Sequence, residues 1–223
     1  MKVEIWSDVV CPWCYVGKRR FEKALGRFAH ADEVEVTYRS FELDPGAPAE
    51  RTGSYDEHLA RKYGMSPERA AAASENMTQV AAGEGLEFRF DLARPGNSFD
   101  AHRLLHLARA RGRQLELKEL LMRATFTEGE PIGDRATLER LAVDAALDAD
   151  EVRAVLDSDR YADDVRADER QAAAYGITGV PFFVVDEKYG VSGAQPAELL
   201  IEVLQRAYDE GANPSTTAAA TTA

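Results

Sequence analysis

The chain has 223 residues, 45% hydrophobic and 30% charged, enough to bury one core that carries a sizeable insertion. Its 39 acidic residues outnumber 27 basic ones, and the formal net charge of −12 argues against nucleic acid and anionic membrane surfaces as partners, because both demand basic patches. No apolar run reaches membrane-spanning length, and Glu4, Ser7 and Asp8 interrupt the N-terminal apolar stretch too early for a secretion signal, so a cytoplasmic location is expected.

Val3 and Ile5 alternate with Lys2 and Glu4, the pattern of a first strand. Ser7-Asp8-Val9-Val10 then leads into Cys11-Pro12-Trp13-Cys14. Pro12 suits a first helical turn, where an N–H would go unpaired, and Phe21, Ala24, Leu25 and Phe28 recur at helical spacing. Val34, Val36 and Tyr38 alternate with polar residues and predict a second strand running into Phe41. Strand, helix, strand in so short a stretch is a parallel βαβ unit.

Pro45-Gly46-Ala47-Pro48 ends that unit, and the following sequence reads as helical. Ser54 with Glu57 can form a capping box. Ser66-Pro67-Glu68 opens a helix that ends near Gly83 and Gly85, and a short extended piece is expected from Glu87 to Phe90. Asn97 or Ser98 opens a helix that Gly112 ends; Gln114 to Thr127 is the next, and Asp134 caps another. Asp150 to Tyr175 holds one or two more, with an acidic solvated face.

The character changes back near Gly176. Pro181 to Val185 reads as a buried strand, Asp186-Glu187-Lys188 as a turn, and Tyr189 to Gly193 as its hairpin partner. Pro196 opens a last helix with a stripe of Leu199, Leu200, Val203 and Leu204. The expected architecture is α/β: a β-α-β half and a β-β-α half sharing one central mixed sheet (1–50 and 176–210), a helical insertion (51–175), and a disordered tail (211–223) with nothing to bury.

The two cysteines stand three positions apart. A secreted disulfide scaffold would need more pairs at longer spacing, so this pair points to redox chemistry. A helix N-terminus offers free N–H groups and positive potential, which favour a thiolate. Cys11, at the terminus and within reach of solvent, is expected to attack; Cys14, one turn inside, resolves. Pro12 and Trp13 set the geometry and redox poise between them. In Gly179-Val180-Pro181-Phe182 a proline leads a strand without a ladder donor. A cis bond there would turn Val180's backbone toward the cysteines, where an extended substrate could pair; an ordinary trans proline is the alternative.

His102 and His106 share a helical face, and with Cys11 and Cys14 they have the types of a zinc ligand set. His102 beside the dithiol, tuning the thiolate or relaying a proton, is a stronger candidate than zinc. A histidine satisfied by packing is the plain alternative. Phe41 is placed at the edge of the site, and Phe99 and Phe126 are candidate groove residues, although aromatics at such spacing are commonly core.

These motifs together resemble the DsbA-like branch of the thioredoxin superfamily. More narrowly, Trp6-Ser7-Asp8-Val9-Val10-Cys11-Pro12-Trp13-Cys14 and Asn97-Ser98-Phe99-Asp100-Ala101-His102-Arg103 resemble its FrnE-type cytoplasmic members. The resemblance implies a thioredoxin fold interrupted by a helical domain, a cis Pro181 beside the site, and disulfide reductase or isomerase activity, linked in some relatives to polyketide biosynthesis. Some relatives carry a further cysteine pair, which this sequence lacks. The expected substrate is a disulfide-containing protein or small molecule, with Val180, Pro181, Phe41 and Phe99 as its candidate contacts. A cellular thiol reductant is the expected recycling partner. No tightly bound cofactor or metal is expected beyond the Cys11–Cys14 disulfide; glutathione is a candidate exchange partner, and a homodimer is left open. Two alternatives compete. One is a glutathione-dependent isomerase or transferase of the 2-hydroxychromene-2-carboxylate isomerase or kappa class, which typically carries serine where Cys11 stands. The other is a non-redox chaperone or peptide-binding module.

Overall fold

The structure, a computed structural model, describes residues 1–212. Strands β1 (Lys2–Ser7), β2 (Glu35–Ser40), β3 (Phe182–Val185) and β4 (Tyr189–Ser192) form one mixed sheet in the order β2-β1-β3-β4. β1 and β2 are parallel, with Ile5 opposite Tyr38, and their crossover is helix α1 (Pro12–Leu25). β3 runs antiparallel to both β1 and β4. Alternation along the strands sends Val3, Ile5, Tyr38, Phe183 and Val185 to one face, where Phe21 and Ala24 of α1 meet Leu200 and Leu204 of the last helix, α9 (Ala197–Ala212). The opposite face carries Trp6 and Val184 against Ala172 and Ile177. Trp6 is fully buried, and its indole N–H donates to the Asp168 carbonyl at 2.9 Å, so its apolar body and its polar handle are both satisfied.

The insertion contributes α2 (Tyr55–Tyr63), α3 (Pro67–Gly83), α4 (Phe99–Ala110), α5 (Gln114–Arg123), α6 (Arg135–Asp144), α7 (Ala149–Leu156) and α8 (Ala162–Ala174). Their starts follow the capping residues. The Ser54–Glu57 box is reciprocal, and Ser66, Asp134 and Asp148 each accept a first-turn N–H, worth about 1 kcal/mol apiece. Leu104, Leu107, Leu117, Leu121, Leu138 and Val152 make a separate helical core.

Gln114 docks the insertion on the sheet. Its side-chain oxygen accepts the Tyr38 N–H at 3.0 Å and its amide donates to the Tyr38 carbonyl at 2.9 Å, so one glutamine stands in for a strand at the β2 edge. His106 adds a second tie, with Nε2 3.1 Å from both Ser40 Oγ and Asp168.

Two local expectations are corrected and a third holds with a change of helix type. Glu87–Phe90 joins no ladder; Phe88 and Phe90 turn into an aromatic cluster, and the Arg89 N–H donates to the Phe126 carbonyl at 2.7 Å. The helix expected from Gln114 to Thr127 does stop before Gly129, its last turn widening into a π turn over Ala124–Glu128. Helix α9 continues through Gly211 to Ala212, two residues into the segment expected to be disordered; the rest of that tail lies outside the described residues. Among the described residues no helix is long and apolar enough to cross a membrane.

Candidate active site

Cys11 is the N-cap of α1, in extended conformation, and Pro12 is the first helical residue. The Cys14 N–H donates to the Cys11 carbonyl at 3.0 Å, which closes the first turn and brings the sulfurs toward each other. Both cysteines are free thiols, close to bonding distance. The Val180–Pro181 bond is cis, and the Cys11 thiol donates to the Val180 carbonyl at 3.7 Å. Gly17 permits this approach: a Cβ there would lie 2.8 Å from Pro181 Cγ.

Cys11 is 5% exposed and Cys14 1%, so both are buried and Cys11 is the less shielded of the two. Tyr15, Tyr55, Met77, Phe90 and Phe126 enclose the pair in an apolar cluster. Access is through a cavity of about 310 Å³ that opens over Cys11. The Cys14 sulfur, by sharing a hydrogen bond, and then burial push the Cys11 thiol up, and the Asp8 charge adds to this; only the Cys14 N–H pulls the other way.

The cavity is lined by Pro12, by half-exposed Trp13, and by Leu43, Tyr55, Met77 and Phe90. Arg51, His58 and Lys62 supply its basic side. Arg51 pairs with Asp44 and donates to His58 Nδ1 at 3.1 Å; burial and the Arg51 and Lys62 charges hold the imidazole below its ordinary value. Three expected aromatics lie elsewhere. Phe41 packs by Trp6, Phe99 lies under the guanidinium groups of Arg103 and Arg166, and Phe126 is fully buried against Phe88.

Beneath the dithiol are polar groups that sequence reasoning passed over. Asp8 is completely buried. Its carboxylate accepts the Leu43 N–H at 2.8 Å and the Val10 N–H at 3.4 Å, and meets His102 Nε2 at 3.3 Å. Burial alone would raise this carboxyl, but hydrogen bonds from His102, Leu43 and Ser98 hold it below its ordinary value. His102 thus reaches the site through Asp8 and does not line the cavity, while His106 turns to Asp168. Each histidine faces its own carboxylate, so the two-Cys, two-His zinc set is not assembled.

From α5, Lys118 is fully buried, with Nζ 3.2 Å from the Ser7 carbonyl and 5.3 Å from the Tyr38 ring centroid. Burial pushes it down to about 8. Its neighbour Glu119 accepts from Tyr15 at 2.6 Å and pairs with Lys18 and Arg19, all on α1. Those contacts overcome burial and hold Glu119 at about 2. A signal for Lys118 existed: it interrupts the apolar stripe of Leu117, Leu121 and Met122. Asp8 was visible in the Trp6-Ser7-Asp8 motif without a role attached.

A helix-capping dithiol facing a cis-proline, on a sheet ordered β2-β1-β3-β4, defines a thioredoxin-fold oxidoreductase site. The chain belongs to the DSBA-like thioredoxin domain family, whose model matches residues 2–205. It is 54% identical to a probable DsbA oxidoreductase of known crystal structure from Streptomyces coelicolor, with a TM-score of 0.90 over 94% of this chain and 91% of that one. It is 28% identical over 187 residues to the uncharacterized protein YwbO of Bacillus subtilis, covering 83% of this chain and 86% of that protein. The cytosolic disulfide reductase DsbM of Pseudomonas aeruginosa, solved with GSH, shares the fold with a TM-score of 0.64 at 15% identity, over 92% of this chain and 100% of that one.

Proposed function

We propose that the protein is a thiol–disulfide oxidoreductase of the FrnE type, reducing or isomerising disulfides with Cys11 and Cys14 in the cytoplasm. The observation that carries this reading is the placement of Cys11 Sγ 3.7 Å from the Val180 carbonyl, at the floor of the cavity. A substrate strand lying along Val180 would bring its disulfide to Cys11. The Cys11 thiolate attacks one substrate sulfur, a mixed disulfide forms, and the other substrate sulfur leaves as a thiolate. Cys14 then attacks Cys11 Sγ, closing the Cys11–Cys14 disulfide and releasing the second thiolate, so that two electrons have passed to the substrate. A cellular thiol reverses the pair. A reducing thiol pool favours reduction and isomerisation over net oxidation.

Equilibration in glutathione buffers of graded potential, read by thiol trapping and Trp13 fluorescence, tests this. A reversible two-electron transition is expected. A midpoint near thioredoxin's, about −270 mV, marks a reductant, and one near about −120 mV an oxidant. A pair that never forms a reversible disulfide overturns the reading, and tight stoichiometric glutathione binding would then favour the isomerase class.

A further inference from the structure

The cavity over Cys11 carries a charge pattern that packing alone does not require. Tyr55, His58, Leu59 and Lys62 line it from α2, and their spacing puts them on one face of that helix. A helix packed by its apolar stripe turns such a face inward. Tyr55 and Leu59 fit that rule, but His58 and Lys62 are interleaved with them. Arg51 joins from the segment before α2. Its guanidinium pairs with Asp44, the one carboxylate among the described lining residues, and donates to His58 Nδ1 at 3.1 Å. That bond leaves the imidazole proton on Nε2 as a neutral donor, and burial with the two neighbouring cations keeps the ring uncharged at neutral pH. Lys62 has no carboxylate partner among the described residues; its ammonium lies 5.8 Å from the Tyr63 ring centroid. An uncompensated cation thus stands at the cavity of a chain whose net charge is −12. The rest of the wall is apolar, with Leu43, Met77 and Phe90, on which Tyr55 stacks at 4.4 Å. Ser74 is spent on Asp56 at 2.5 Å.

We propose that this cavity holds one half of the substrate disulfide, a small apolar group bearing a single carboxylate, with the carboxylate on Lys62 and His58 and the apolar body against Leu43, Met77 and Phe90. The proposal rests on the oxidoreductase reading above and narrows its substrate. At about 310 Å³ the cavity is at the lower end of the range of small-molecule sites, so it admits a compact group and not a folded segment. The other half lies along Val180. The Cys11 thiolate attacks the sulfur of the enclosed half. A bond forms between that sulfur and Cys11 Sγ, the substrate S–S bond breaks, and the outer half leaves as a thiolate with its electron pair. Attack by Cys14 on Cys11 Sγ then releases the enclosed half as a second thiolate, and both electrons have come from the dithiol. A cationic half would meet Lys62 with like charge. An amine, as in glutathione, would find Asp44 already taken by Arg51. Partial enclosure strengthens the pairing of a carboxylate with Lys62 relative to open water.

The test compares 4,4′-dithiodibenzoate with its uncharged bis-amide, a pair matched in size. The rate at which each modifies Cys11 of the reduced protein is divided by its rate with 2-mercaptoethanol, which removes intrinsic reactivity. At low ionic strength the wild type is expected to prefer the acid by roughly fivefold, and added salt to shrink that preference. Lys62→Gln, at an exposed position, is expected to remove most of the preference and Lys62→Glu to invert it. Oxidised glutathione is expected to fall below the acid on the same scale. Binding is read separately from chemistry in a protein carrying Cys11→Ser and Cys14→Ser. Titration with 4-(methylthio)benzoate, which cannot exchange, is expected to quench Trp13 at the cavity, with affinity lowered roughly fivefold when Lys62→Gln is added. Equal normalised rates for acid and amide, or a preference that both Lys62 variants leave unchanged, overturn the site while leaving the dithiol reading intact. A wild type that neither disulfide modifies at Cys11 overturns the oxidoreductase reading, and the thioether titration still decides whether the cavity takes an apolar carboxylate.

Discussion

Lys118→Met should stabilise the protein near neutral pH, which is unusual for a substitution at a fully buried position. An exposed lysine releases its proton near 10.5, whereas in the folded chain Lys118 does so at about 8. At about 1.4 kcal/mol per pH unit, carrying the buried ammonium costs the native state about 3 kcal/mol at any pH below 8. The unfolded chain keeps its proton between pH 8 and 10.5 while the folded chain has lost it, so wild-type stability from this group rises with pH across that window. Methionine fills a similar volume without a charge, but it leaves the Ser7 carbonyl without its donor, at a cost of about 1–2 kcal/mol. The variant should therefore be more stable by roughly 1–2 kcal/mol at pH 6.5 and slightly less stable above pH 10.5. Urea unfolding of both proteins, reduced and at matched ionic strength, reads this as a midpoint higher by roughly half a molar at pH 6.5. A difference that stays constant from pH 6.5 to pH 10.5 would refute the reasoning, because the ammonium would then not be the source of the cost.

Three further outcomes follow from the site. Gly17→Ala places a methyl 2.8 Å from Pro181 Cγ and should cost about 1–3 kcal/mol in urea unfolding, with slower disulfide exchange; unchanged values for both would mean that α1 and Pro181 are free to separate. Cys14→Ser should accumulate a mixed disulfide with oxidised glutathione on Cys11, seen as an intact-mass adduct, whereas Cys11→Ser should not; the reverse pattern would exchange the two roles. Asp8→Asn removes a carboxylate held below its ordinary value, so wild-type stability from this group is fully present above the unfolded value near 3.8 and is lost as pH falls through the lower folded value. The urea midpoints of wild type and variant should differ at pH 7 and converge toward pH 3, and the Cys11 thiol, relieved of a neighbouring negative charge, should ionise at lower pH.

The elements most legible in the sequence are those whose local pattern and tertiary role agree. The alternation of Val3 and Ile5, the Ser54–Glu57 box and the apolar run ending at Val185 each become the expected element because burial asks of them what their pattern already offers. The Cys-Pro-Trp-Cys turn is legible for the same reason: its proline, its spacing and its position after a strand are all local. Glu87–Phe90 shows where locality fails. Its alternation is that of a strand, but Phe88 stacks on Tyr15 and Phe126 and Phe90 on Tyr55, and those contacts from distant segments decide the backbone path. Phe41, Phe99 and Phe126 carry no local mark of whether an aromatic faces a cavity or a core. The form of the solvent access to Cys11 was hidden for a related reason: α2 and α3, remote in sequence, close over it and leave a cavity in place of open surface.

The polar groups beneath the dithiol come largely from the helical insertion, and this sets its part in the chemistry. The α/β half supplies both sulfurs, the Val180 carbonyl and Asp8. The insertion supplies His102 to Asp8, Lys118 to the Ser7 carbonyl, and Glu119 to Tyr15 on the helix that Cys11 caps. The buried Asp8 carboxylate disfavours a second negative charge on Cys11, while burial holds the Lys118 amine below its ordinary value against the pull of the acidic groups around it. The outer sulfur is bonded as a thiol to the Val180 carbonyl, the place where a substrate strand is proposed to lie. The insertion is thus an electrostatic part of the dithiol site as well as the wall of the cavity above it.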